Sequence, residues 1–336
     1  MKSISLLLLV VATLFFSGCS SKQYFEPEQT YPASQVTSTY TGTIVDLSRD
    51  GATLGNGYYI DRRGLESVNV GKGYRFLSEN GTYLLAGNTE GKLKIINKYT
   101  KKILRTVALN IPIVSASIHD GIIAYILNNN AFGIYRISDD KKILENRSEA
   151  TFAIDTRAAS PLFIDSLVVM PMLDGKLIVM DSRNPVDAKV IYLSSDKIFN
   201  NVIYLSRTGD TLIAATPKKL IAVGVEGQVE YRANISDVAV TGSTIYLFTK
   251  EGEIVKLNRM LEVVAKKKFK YAYYVASTAF GGKVYALDQQ GSLIVLSSDL
   301  KQYRIYDVDS TESPVFIGGT KLYKDGKIIT LSKLHY

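Results

Sequence analysis

Few side chains in this sequence belong to types that do chemistry on their own. Cys19 is the one cysteine in 336 residues, and the histidines are two, His119 and His335. A lone thiol has no disulfide partner within its chain. In an oxidising compartment it is a liability unless modification consumes it. The histidines fall in no H-x-x-x-H or H-E-x-x-H pattern, so a three-histidine metal site cannot be assembled. His119 precedes the turn signal Asp120-Gly121, and His335 sits beside the C-terminus, where a catalytic group would be poorly held. No G-x-S-x-G elbow offers a serine nucleophile. Gly55-Asn56-Gly57 is a fragment of a phosphate loop without its helix, and no G-x-x-x-x-G-K-[ST] follows. Asp139-Asp140 and Asn128-Asn129-Asn130 lack EF-hand spacing, while Asp174 and Asp325 read as turn formers. The expectation is a protein with no enzymatic activity, no cofactor, no metal and no small-molecule substrate.

The surroundings of Cys19 assign its chemistry. Met1-Lys2-Ser3 is a short basic start, and residues 4–16 are apolar apart from Ser5 and Thr13. That is the pattern of a secretory signal peptide, too short for the roughly 20 apolar residues that span a bilayer. Phe16-Ser17-Gly18-Cys19 resembles the lipobox of bacterial lipoproteins. The resemblance implies a signal over 1–18, a diacylglycerol on the Cys19 thiol and a mature chain that begins there. Ser20 in place of an aspartate implies, by the same resemblance, sorting to the outer membrane, facing the periplasm. Residues 19–40 are polar, carry Pro27 and Pro32 and show no sustained period, so they read as a lipidated tether.

Lys and Arg number 40 against 32 Asp and Glu, a formal charge of +8 that falls to +7 when Lys2 leaves with the signal. A basic surface attracts acidic proteins, anionic lipid or polyanions. For an exported, anchored chain, nucleic acid is not an expected partner. The densest basic run, Lys266-Lys267-Lys268, reads as an exposed strand face.

Over residues 41–336 the organisation is a recurring hairpin: an apolar strand, a polar turn and a second apolar strand, seven times over. Five turns carry Glu90-Gly91, Asp174-Gly175, Glu251-Gly252, Gln290-Gly291 and Asp325-Gly326; the other two place Phe132 and Lys218 at the glycine position. The markers at 91, 132, 175, 218, 252, 291 and 326 are spaced by 41, 43, 43, 34, 39 and 35 residues. A period near 40 with several strands per unit is the signature of a β-propeller. Runs such as Leu293-Ile294-Val295-Leu296 are apolar on both faces, as a blade sandwiched between neighbours requires. Ser160-Pro161-Leu162-Phe163-Ile164 and Lys189-Val190-Ile191-Tyr192 supply further strands to the third hairpin. The predicted fold is therefore all-β, a propeller of seven blades, with a degenerate eighth over residues 52–70 as the alternative. The last hairpin lacks an outer strand, and the strand-like residues 41–48 are placed to fill the gap and close the ring.

The third unit, residues 160–181, resembles a repeat of the PQQ-type propeller family: a Ser-Pro lead-in, an apolar strand, Asp-Gly-Lys-Leu, a second strand and a terminal Asp. Within it, an exported chain of this length resembles the propeller lipoproteins of the outer-membrane β-barrel assembly machinery. That implies a scaffold whose partners are envelope proteins, the barrel-assembly complex among them. Another envelope complex or display at the cell surface is the alternative. Quinone-dependent dehydrogenases share the propeller, and their resemblance implies a cofactor stacked between a Trp and an adjacent-cysteine disulfide. This chain has no Trp and one cysteine, so both stacking surfaces are missing. What remains is a binding platform. Most of the 22 tyrosines, Tyr204, Tyr246 and Tyr285 among them, are expected to pack between blades; Tyr271, Tyr273 and Tyr274 are the candidates for an interaction surface.

Overall fold

Every hairpin of the sequence forms the middle of a four-stranded antiparallel sheet in the computed structural model, which describes residues 23–151, 157–196, 198–225, 227–311 and 313–336. The described residues form eight sheets, each running from an inner to an outer strand; all but the last are built on a four-strand meander, and the last takes its outer strand from the N-terminal segment. Blade 2 is representative: Tyr74–Glu79, Tyr83–Asn88, Lys92–Asn97 and Ile103–Ala108 pair in that order. Blades 3 to 8 follow, with inner strands at Ile113–His119, Leu162–Ile164, Tyr204–Thr208, Ile235–Thr241, Tyr274–Phe280 and Phe316–Gly318. The middle strands are the driest, and both Ile122–Leu127 and Ser292–Ser297 are buried along their whole length.

Eight blades replace the expected seven. The additional one is blade 1, made of Ile44–Leu47, Gly51–Leu54, Tyr59–Asp61 and Gly64–Leu65. It lies largely where the sequence left a degenerate eighth blade as the alternative, and its strands of two to four residues are too short to show a period. Residues 41–48 accordingly belong to blade 1 and not to the last blade. The outer strand of blade 8 is Thr37–Thr39, antiparallel to Lys327–Thr330. Just before it, Tyr31–Pro32 runs parallel to Tyr303–Asp307 as a fifth strand of blade 7. Much of the segment read as a tether thus lies on the edges of blades 7 and 8.

Two turns also differ from expectation. In blade 3 the left-handed residue is Asn130, with φ of 62°, so Phe132 lies inside the strand Ala131–Arg136. In blade 5 only Pro217 and Lys218 separate the paired strands, and Lys218 needs no positive φ.

The core is divided among the seams. Tyr59 and Phe76 stack at 4.6 Å in the cluster between blades 1 and 2. Tyr125 and Leu85 share the next one, and Tyr246 and Tyr285 pack as expected on either side of blade 7. Tyr323 of blade 8 joins Ile44, Ala52, Leu54 and Ile60 of blade 1. Burying a side chain of this size contributes about 1.5–3 kcal/mol, so each seam is held by several such contributions.

Candidate functional site

The inner strands surround a short channel, and charge collects there. Arg49, in the first turn of blade 1, reaches across to blade 6, where its Nη1 donates to Asp237 Oδ1 at 2.8 Å and its Nη2 to the Val238 carbonyl at 3.3 Å. Arg157 approaches the other Asp237 oxygen at 3.4 Å and donates to the carbonyl of Val275 on blade 7. Ser277 donates its hydroxyl to the same oxygen at 2.9 Å. The Arg49 guanidinium lies 4.7 Å from the ring centre of Tyr204 on blade 5. Burial alone would push the Asp237 carboxyl up, but the Arg49 and Arg157 guanidinium groups outweigh it and hold it below the usual carboxylate range. Arg75 repeats the device beside it, contacting Asp46 at 3.2 Å and donating to the carbonyls of Ile113 and Val114 at 2.5 and 2.7 Å. Cavities of about 340 and 460 Å³ flank Arg49 on the two sides. Every carboxylate in the network is engaged by an arginine, which suits it to bracing blades against each other.

Among the described residues, no three His, Cys, Asp or Glu side chains are arranged to hold a metal ion. His119 is exposed, 3.6 Å from Asp120, and His335 offers its backbone to the Tyr306 hydroxyl. Asn130 is fully buried and bonds the backbone of Glu149 and Leu173, tying blade 3 to blade 4. Asp139 pairs with Arg136 at 2.7 Å, and Asp140 with Arg105.

The three tyrosines singled out in the sequence lie together, in the loop that carries the chain from the outer strand of blade 6 to the inner strand of blade 7. They do not share one role. Tyr274 is buried, edge-on to Phe248 at 5.9 Å, with its hydroxyl donating to the Gly252 carbonyl at 2.9 Å. Burial pushes that hydroxyl up. Tyr274 is therefore part of the seam between blades 6 and 7, and offers no surface to a partner. Tyr271 and Tyr273 are 42 and 49% exposed. They rim a cavity of about 760 Å³ with Lys250, Lys268, Lys270 and the N-terminal residue Tyr24, itself 44% exposed. Cys19 lies outside the described residues. No helix among the described residues is long and apolar enough to cross a membrane.

The channel network was hidden because Arg49 and Asp237 are 188 residues apart. One signal was available: Asp237 is the one charged residue of the inner strand Ile235–Thr241.

These features define an eight-bladed β-propeller whose channel is braced by its own ion pairs and whose rim carries exposed aromatic and basic side chains. No family model matches the chain. It is similar to the plasminogen-binding protein PgbB of Helicobacter pylori strain J99, with 28% identity over 376 aligned residues, covering 98% of this chain and 69% of that protein. Among solved structures it resembles BamB from Moraxella catarrhalis, with a TM-score of 0.67, 16% identity, and coverage of 87% of this chain and 98% of that one. The computationally designed protein Ika8 is nearly as similar, at a TM-score of 0.64 and 11% identity over 87% of this chain and 96% of that one. A resemblance shared with a designed protein concerns the fold.

Proposed function

We propose that this chain is an exported, lipid-anchored and non-enzymatic propeller that binds other proteins at the cell envelope. The observation that carries the reading is the similarity over 98% of the chain to a protein named for binding plasminogen, on a ring whose channel charges are already paired. A rigid scaffold with functional loops suits binding without conformational change. Diacylglycerol on Cys19 supplies the anchor, and the PQQ-type repeat gives the blades their sequence pattern.

Two partner readings are in play. Similarity to PgbB along nearly the whole chain favours plasminogen as the partner. The likeness of fold to BamB favours support of barrel assembly from the periplasmic side of the outer membrane. Plasminogen is the first to test, because similarity in sequence over 98% of the chain outweighs a shared architecture. Surface plasmon resonance of plasminogen over immobilised protein should give saturable binding at micromolar concentration or below. Cross-linking from intact cells, followed by mass spectrometry, should recover no barrel-assembly subunits. Recovery of those subunits, with no plasminogen signal from folded protein, reverses the choice.

The N-terminal pairing with blade 8 serves in this reading as a latch on the ring. Removing residues 19–40 would leave the Lys327–Thr330 edge unpaired, and such edges template association. The truncated protein is expected to melt lower and to elute as higher oligomers in size-exclusion chromatography. An unchanged monomer with an unchanged melting midpoint would refute the latch.

A further inference from the structure

The N-terminal residues fix where an anchor at Cys19 would leave the ring. Phe25 packs edge-on against Phe269 at 5.8 Å, on the core between blades 6 and 7. Gln23 and Tyr24 line the cavity rimmed by Tyr271 and Tyr273. Three residues lie between Gln23 and Cys19, four backbone steps with a reach of about 14 Å even when fully extended. A lipidated Cys19 therefore holds this face, and not the opposite one, within about two Debye lengths of the bilayer at physiological salt.

The chemistry of the face suits that position. Lys250, Lys268 and Lys270 are exposed around the cavity. Three lysines outnumber its two acids: Glu251, exposed, accepts from the Asn234 amide at 2.5 Å, and Asp288, buried, accepts the Tyr273 backbone N–H at 2.6 Å. Glu26 and Glu28 lead away toward the outer edge of blade 7, where Tyr31–Pro32 pairs. Exposed tyrosines beside lysines match the headgroup layer, where an aromatic body and a polar tip are both accommodated. Lysine stems lie along apolar surface while their ammonium groups meet anionic headgroups.

We infer that the Tyr24–Tyr271–Tyr273 face, with Lys250, Lys268 and Lys270, docks on an anionic phospholipid surface and sets the orientation of the propeller on its membrane. This rests on the lipid anchor proposed above. The docked face is then closed to protein partners, and the opposite loop face and the outer strands are left for them.

The test uses protein extracted from membranes, with the mass of its N-terminal peptide read first. It is reconstituted into vesicles of phosphatidylglycerol with phosphatidylcholine, and into phosphatidylcholine alone, and hydrogen exchange is followed over residues 268–274. Exchange should slow in the anionic vesicles only. The triple variant Lys250→Glu, Lys268→Glu, Lys270→Glu should lose that protection by about tenfold or more, since each lysine contributes near an anionic surface. An unchanged melting midpoint will show that the variant is folded. A lipidated protein with equal exchange in both vesicles, or a variant that keeps its protection, overturns the docking and leaves the anchor standing. A peptide without the diacylglyceryl mass overturns both. Protection by soluble polyglutamate without vesicles assigns the face to an acidic protein and overturns the lipid reading.

Discussion

Replacing Asp237 with Asn is expected to destabilise the propeller by about 3 kcal/mol, because it strips the shared counter-ion from two arginines in the channel. The Asp237 side chain is 9% exposed, so water cannot substitute for it. With roughly 2.1 cal/mol/K per residue of unfolding entropy, the melting midpoint should fall by about 5 °C. Adding Arg49→Met should recover part of the loss, since one stranded charge is then removed; contacting pairs couple by about 0.5–3 kcal/mol. The pH dependence has a defined sign. The folded carboxyl titrates below its unfolded value. Its contribution is therefore complete above a pH of about 4, the ordinary range for aspartate, and is lost as pH falls through the lower folded value. The gap in midpoint between wild type and Asp237→Asn should be constant at neutral pH and close under acid. A change below about 1 kcal/mol would mean that the arginines are stabilised by something other than Asp237.

The second large effect belongs to a turn. Gly291 sits at φ of 92°, and a Cβ there would fall onto the carbonyl of Asp309 and the nitrogen of Ser310. Gly291→Ala must meet both the left-handed backbone, about 1–2 kcal/mol for an L residue, and displacement of a packed loop, about 1–3 kcal/mol. A loss of about 3–4 kcal/mol by chemical denaturation is expected. Gly282 is the matched control, with φ of 74° and nothing within 4 Å of its Cβ position. Gly282→Ala should lose only about 1 kcal/mol. Equal losses at the two sites would show that backbone conformation alone accounts for both, and that the blade 7 loop does not press on its turn.

That contrast also explains what could be read from the sequence. Gly91, Gly175, Gly252, Gly291 and Gly326 all have positive φ, so a local requirement marked five blades at a regular interval. Lys189–Tyr192 and Leu162–Ile164 were recognisable from their β-branched and aromatic residues, although the first is mostly exposed and the second half-buried. Blade 1 was legible only as an alternative, because Gly64–Leu65 is too short to carry a pattern. Thr37–Thr39 escaped for another reason: its place is set by backbone hydrogen bonding to Ile328 and its neighbours, which polar Thr and Ser side chains do not advertise. Within the candidate site, the loop with Tyr271 and Tyr273 was legible from tyrosine density, whereas Tyr274 looked identical in sequence and is set apart only by strand alternation. The Arg49–Asp237 pairing was invisible, since a lone arginine in a turn looks solvated until the ring brings blade 6 opposite.

Dividing the apolar interior among eight wedges has a mechanical consequence. Each blade is held mainly by its two neighbours, so the ring behaves as a closed one-dimensional stack in which opening begins at one joint and propagates. Among the described residues, the joint between blades 8 and 1 has the fewest buried apolar side chains, with Tyr323 from blade 8 fully buried and Phe316 and Ile328 half-buried against it. It is where the circle would part first under load. A pull on the N-terminus would first peel Phe25 and Tyr31–Pro32 from blade 7, then Thr37–Thr39 from blade 8, and so reach this weakest wedge through its edge strand.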